Sequence, residues 1–392
     1  MVDRGRAQAG STDGVQHDTA RDDRSIIPMV DVAAQHAEIA AELEPQVLEV
    51  LRSGHYVGGP HVAAFEQSYA ASVGVAHCIG VANGTDAIEL ALRAAGVCAG
   101  DEVIVPGNTF IATAEAASRI GARPVPVDVD AQHLLMDPDA AAAAITARTR
   151  AIVPVHLFGQ MAPMERLQNL AHNAGLALIE DAAQAQGARR HGRAAGAWGA
   201  IAATSLYPGK NLGATGDGGA VTTDDDRLAD VVRMTANHGS RTKYQHEAVG
   251  VNSRLDAIHA VTLGVKLRRL EEWNDRRRAI AARYDDVLAG ADGIRVPATL
   301  EGNLHAWHLY VVRVAQRDRV LADLADSGIE AGVHYPEPWY LSAAYAPDGY
   351  ARGACPVSEA AAGEILSLPI HPHLTPSQQD RVIEALLASV QS

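Results

Sequence analysis

The chain has 392 residues, 47% of them apolar and 20% charged, with a net charge of −14. That length allows two domains or one large one. The acidic balance argues against general nucleic-acid binding, which needs a basic face, but an anionic small substrate stays open because a local cationic pocket can override the global charge. No apolar run is long enough to span a bilayer, so no membrane partner is expected. Three widely spaced cysteines, Cys78, Cys98 and Cys355, argue against a disulfide framework or a zinc site and for a cytoplasmic location. They read as small buried hydrophobes.

Taken in chain order, residues 1–25 lack the apolar core of a signal peptide and read as a disordered, solvated arm. Folded sequence begins near "IIPMVDVAAQHAEIAAELEPQVLEVL". In "NGTDAIELALRAAG" (83–96), Ala87, Ile88, Ala91, Leu92 and Ala95 form a helical stripe. Gly84 and Thr85 sit at its start, where free N–H groups and a hydroxyl can hold a phosphate. Thr85 or Asp86 could equally serve as the N-cap.

The next segments, "DEVIVPG" (101–107), "RPVPVDVD" (123–130), "RAIVPVHLFG" (150–159) and "LALIEDAAQ" (176–184), read as buried strands. Helical patterns such as "IATAEAASRIG" and "MERLQNLAHNAG" separate them. This alternation predicts a parallel sheet with ligands at the carboxyl ends of its strands. Asp181 falls at one such end, where a buried carboxylate needs a positive partner or backbone donors. "SLYPGKNLGATGDGG" (205–219) then places one amine, Lys210, in a glycine-rich turn. A lysine in such a turn, a strand-end aspartate and a phosphate-type helix start are the parts of a pyridoxal phosphate (PLP) site. In that site the lysine forms a Schiff base, the aspartate keeps the ring nitrogen protonated, and Ser205 adds a hydroxyl to the phosphate. From Arg254 a long helical stretch replaces the alternation. "AWHLYVVRV" and "IEAGVHYP" follow as strands, with helices near 317–327, 357–366 and 376–390.

The motifs "GTDAIELAL", "GDEVIVPGNTFIATAEA", "PVHLFGQMAPM", "IEDAAQAQGA", "SLYPGKNLGATGDGG", "NHGS", "NSRLDAIHA" and "LSLPIHP" occur in order. With them the chain after residue 26 resembles the sugar-nucleotide aminotransferases of the DegT/DnrJ/StrS type. These belong to the fold-type-I, aspartate aminotransferase-like PLP enzymes. The resemblance implies an α/β fold in two parts. A large PLP-binding domain, 26–253, would carry a mostly parallel mixed sheet flanked by helices. A linking helix and a smaller C-terminal α/β domain would occupy 254–392.

The resemblance also assigns roles. Lys210 corresponds to the Schiff-base lysine and Asp181 to the partner of the ring nitrogen, with Gln184 near the ring hydroxyl. Gly84, Thr85 and Ser205 would hold the phosphate, and Phe110 would stack on the ring. Asn252 would reach the phosphate of the neighbouring subunit, which makes a homodimer with shared sites obligatory. The implied substrates are L-glutamate and a nucleotide-linked ketosugar, whose diphosphate Arg241, Lys243 and Arg254 could attract. "YPGKNLG" with "GDGG", and "SRTKYQHE", resemble members acting at C-3 of a dTDP-3-keto-6-deoxyhexose in antibiotic-type deoxyaminosugar biosynthesis. The alternatives are amination at C-4, a PLP-dependent dehydratase with histidine at the lysine position, and a PLP-binding regulator. His156 and His308 either line the sugar pocket or are structural.

Overall fold

The structure is a computed structural model that describes residues 26–391. The expected arm, 1–25, lies outside them. Helices α1 (Val32–Ser53) and α2 (Pro60–Val73) precede the first strand, β1 (His77–Val81). Four β-α units follow: α3 (Gly84–Ala94) and β2 (Glu102–Pro106), α4 (Ile111–Arg119) and β3 (Arg123–Val127), α5 (Pro138–Ala143) and β4 (Thr149–Ile152), α6 (Met164–Ala174) and β5 (Ala177–Asp181). A two-residue hairpin, β6 (Arg189–Arg190) and β7 (Arg193–Ala194), leads into β8 (Ile201–Ser205) and β9 (Gly219–Thr223).

Seven of these strands form one sheet in the order β1-β9-β8-β5-β4-β2-β3. Only β9 runs antiparallel to its neighbours. Successive side chains alternate between faces, and both faces are covered, so the strands are almost continuously apolar. Val103, Val105 and Ile179 pack with Leu90 and Leu92 of α3 on one side. Ile104, Ile152 and Leu178 pack with Met164 and Leu167 of α6 on the other. The sheet is therefore the mostly parallel mixed sheet expected.

After α7 (Asp226–Ala236) comes an exposed hairpin, β10 (Ser240–Thr242) and β11 (Gln245–His246). The helical stretch from 254 is two helices, α8 (Ala257–Leu267) and α9 (Leu270–Leu288). Ala257, Val261 and Val265 of α8 pack on Ile39 and Leu43 of α1. The far half of α9 contributes Ile280, Tyr284 and Leu288 to a separate core. That core contains an antiparallel sheet of β12 (Ile294–Arg295), β14 (Tyr310–Val314) and β15 (Ile365–Leu368). Short β13 (Asn303–Leu304) pairs back to β6 of the hairpin. Helices α10 (Arg317–Asp326), α11 (Pro356–Glu364) and α12 (Pro376–Gln391) complete the chain.

Four local expectations change. The strand expected over 150–159 ends at Ile152, because Pro154 has no N–H to continue a ladder and 157–159 winds into a 3-10 turn. "AWHLYVVRV" is extended in the sheet only from Tyr310, since 306–309 bonds to the loop at Phe158 and Gly159 instead. "IEAGVHYP" makes only isolated bridges, Ile329 to Ile27 and Gly332 to Ser367, and then turns toward the site. The predicted helix near 357–366 stops at Glu364, and the unanticipated strand β15 follows. Cys78 and Cys355 are buried as expected; Cys98 is exposed, its Sγ 3.2 Å from the Asp101 carboxylate.

Candidate active site

A cleft of about 450 Å³ opens at the carboxyl ends of the sheet strands and is closed on one side by the segment around His334. Gly84, Thr85, Phe110, Asp181, Gln184, Ser205 and Lys210 all line it. Seven of the positions singled out in the sequence thus converge on one cavity from four separate parts of the chain.

Lys210 sits in the loop between β8 and β9. The loop folds back tightly: Lys210 N donates to Tyr207 O at 2.9 Å and Ala214 N to Leu206 O at 2.7 Å. A Cβ on Gly213 would lie 2.3 Å from Pro208 O, so only glycine permits this turn. Loss of hydration lowers the Lys210 pKa from 10.5 to about 8, and the Asp181 charge opposes the shift. No described residue accepts a hydrogen bond from its Nζ.

Asp181 ends β5 and is buried. Its carboxylate accepts from Thr113 Oγ1 at 2.8 Å and from Ala183 N at 3.1 Å. Burial raises its pKa, against those donors and the Lys210 charge. The neighbouring Glu180 points to the opposite face and is wholly enclosed. It accepts from His156 Nε2 (2.9 Å) and from the N–H groups of Gly196, Trp198 and Gly199. Burial opposes its charge, but these four donors hold its carboxyl below the usual range. Ala162 N donates to His156 Nδ1, so Nε2 carries the ring proton. His156 is therefore a structural brace for β5, whereas His308 lines the cleft.

Gln184 is fixed at both ends of its amide: Oε1 accepts from Phe158 N at 2.6 Å, and Nε2 donates to Tyr335 Oη at 3.1 Å. Phe110 is 51% exposed and belongs to no core cluster. Its ring faces that of Tyr335 at 5.2 Å across the cleft. At the other end, Asn83 caps α3 by accepting from Asp86 N at 2.8 Å. Neither Thr85 nor Asp86 is the cap, and the Thr85 hydroxyl remains available to the cleft. A Cβ on Gly84 would stand 2.7 Å from Ser205 Cβ. That close approach brings the α3 N-terminus and the Ser205 hydroxyl to one point, a cradle suited to an oxyanion.

These residues fit PLP. Lys210 and Asp181 share the cleft yet form no ion pair, which leaves space between amine and carboxylate for a ring. The cradle suits its phosphate and Phe110 offers an aromatic face. Asn252, Arg241, Lys243 and Arg254 lie outside this chain's own cleft, all exposed. Arg241 is held by Asp230 (2.7 Å) and Glu247, and the Lys243 amine lies 5.1 Å from the Tyr244 ring centre. Sequence reading missed Thr113, His334 and Tyr335. Thr113, one helical turn after Thr109 at the start of α4, had a legible signal in that spacing. The other two lie where the chain has no periodicity.

A profile of the DegT/DnrJ/EryC1/StrS aminotransferase family matches residues 37–387. The chain is 48% identical over 362 residues to the erythromycin biosynthesis sensory transduction protein EryC1 of Saccharopolyspora erythraea, covering 92% of this chain and 99% of that one. It is 48% identical over 360 residues to the dTDP-3-amino-3,4,6-trideoxy-alpha-D-glucose transaminase of Streptomyces venezuelae, covering 92% and 95%. Among solved structures, S. venezuelae DesV in complex with a ketimine intermediate superposes with a TM-score of 0.92 at 47% identity, over 94% of this chain and 99% of that one. On these matches and the cleft geometry together, the chain belongs to the DegT/DnrJ/EryC1/StrS aminotransferase family.

Proposed function

We propose that the chain is a PLP-dependent aminotransferase that moves an amino group from L-glutamate to C-3 of a dTDP-linked 3-keto-6-deoxyhexose. The observation that carries this reading is the pairing, in one cleft, of an unpartnered lysine amine with a buried strand-end carboxylate. The name of the S. venezuelae relative supports the C-3 dTDP-sugar substrate.

Bound in this cleft, PLP supplies an electron sink for charge developing at the donor's α-carbon. Asp181, held in place by Thr113 and Ala183, would accept the hydrogen bond of a protonated ring nitrogen. Gly84, Thr85 and Ser205 would hold the phosphate, Phe110 would cover the ring and Gln184 would lie beside its hydroxyl. Lys210 would be the residue that holds the cofactor covalently. As a free amine, its Nζ would take a proton from the donor's α-carbon and later return one to the sugar carbon that receives nitrogen. A pKa of about 8 leaves part of the amine neutral near pH 7, as a base requires.

The described residues lining this cleft include no arginine, and Lys210 is their only lysine. A nucleotide diphosphate needs cations from elsewhere, and a second copy of the chain can deliver Arg241, Lys243 and Arg254, with Asn252 reaching the phosphate. Exposed Leu48, Leu51, Tyr56, Val57 and Tyr207 give such a partner apolar surface to cover.

The test is spectroscopic. L-glutamate should convert the bound cofactor to its amine form, and a panel of nucleotide-linked 3-keto and 4-keto sugars should reverse the conversion only with the 3-keto member. Reversal by the 4-keto sugar alone would move the reaction to C-4. The EryC1 name favours a second reading, a sensor that binds PLP without turnover; cofactor uptake with no response to glutamate would support it.

A further inference from the structure

Asn211, directly after Lys210, is buried and fully bonded. Its Nδ2 donates to Asn274 Oδ1 of α9 at 2.8 Å and to Ala306 O at 2.7 Å. The direction of these bonds is anchored by backbone carbonyls, which only accept. Asn274 Nδ2 must donate to Gln186 O (3.0 Å), so Asn274 turns its oxygen toward Asn211. Both hydrogens of Asn211 Nδ2 are then used, and its Oδ1, 3.2 Å from His308 Nδ1, can only accept. His308 therefore carries its ring proton on Nδ1. Its Nε2 is a bare lone pair with no donor among the described residues, on a side chain that lines the cleft beside Lys210. Burial and the Lys210 charge both keep this imidazole neutral.

We propose that Asn211 is a positioning residue that locks His308 in the Nδ1–H tautomer, so that His308 Nε2 offers the cleft beside Lys210 a hydrogen-bond acceptor, and never a donor, for a hydroxyl or N–H group of a bound ligand. This rests on Lys210 being the reactive lysine. Besides Lys210 and His308, the titratable groups lining this cleft are Asp181, Tyr207, Asp217, His334 and Tyr335.

The experiment uses the full-length, cofactor-free chain labelled with ¹⁵N-histidine. The His308 signals, assigned by their loss in His308→Gln, should show a protonated Nδ1 and an unprotonated Nε2; the opposite tautomer overturns the proposal. In Asn211→Ala the two tautomers should mix; an unmixed Nδ1–H signal would remove Asn211 from the account. If that variant does not fold, the wild-type spectrum still decides the tautomer.

Uptake of PLP onto Lys210 in the wild type is measured separately. Failure there sinks the underlying reading, while the tautomer result stands or falls alone.

Discussion

Asp181 and Lys210 set each other's charge state. The Asp181 carboxylate is the one influence that opposes desolvation of the Lys210 amine. Replacing Asp181 by Asn keeps one of the two acceptor oxygens, with the amide oxygen able to serve Ala183 N and the amide N–H₂ facing the Thr113 hydroxyl, and removes the negative charge. The amine should then titrate below its present value of about 8, visible as a lower midpoint for chemical labelling. The same substitution leaves no anion beside a protonated ring nitrogen, and kcat should fall by about 100-fold or more in a steady-state assay. In the wild-type protein the half-reaction with glutamate should accelerate from pH 7 to pH 9, as the neutral amine fraction grows through a pKa of about 8. A rate flat across that range would show that Lys210 is not the base.

At the scale of elements, the site depends on two close contacts made by the sheet. The first joins the α3 N-terminus to the end of β8. Gly84→Ala forces a Cβ to within 2.7 Å of Ser205 Cβ, so one element must shift. The expected cost is about 1–3 kcal/mol in denaturant unfolding, with weaker PLP binding alongside. The second is the enclosure of Glu180 behind Asp181. Glu180→Gln leaves one acceptor oxygen where four donors converge and turns an amide N–H₂ toward the rest. Unfolding should become easier by about 3–5 kcal/mol. Because folding lowers this carboxyl's pKa, its contribution is complete above the unfolded carboxyl range and is lost as the pH falls through the lower folded value.

These elements also show what a sequence discloses. β5 was legible because "LALIED" is a short apolar run ending in acid, and the Lys210 turn because glycines surround one amine. Thr85 was found at the right place although its neighbour Asn83 makes the cap. The strand ends near 154, 309 and 332 were misjudged, since each is decided by a partner distant in sequence. The 306–309 segment leaves the sheet to bond with Phe158, Gly159 and Asn211. His334 and Tyr335 arrive through isolated bridges that no periodicity reports.

At the scale of the molecule, two cores share α9, and the cleft lies where the His334 segment faces the large sheet. A cleft whose described lining includes no arginine leaves a nucleotide diphosphate without a bidentate cation. If a second copy completes it, a Lys210→Ala chain mixed with an Arg254→Ala chain should regain activity that neither shows alone. One intact site per mixed dimer gives roughly a quarter of the wild-type rate after random exchange. No recovery, with mixed dimers verified by mass, would place the diphosphate-binding cations within a single chain.

The chemistry of this cleft turns on what residue 210 holds. The most direct measurement is borohydride reduction of the purified, PLP-loaded protein, followed by peptide mass mapping. The cofactor mass should appear on the peptide containing Lys210 and vanish in Lys210→Ala. A reduced adduct on any other lysine, or none on a protein that has demonstrably folded, would contradict the account.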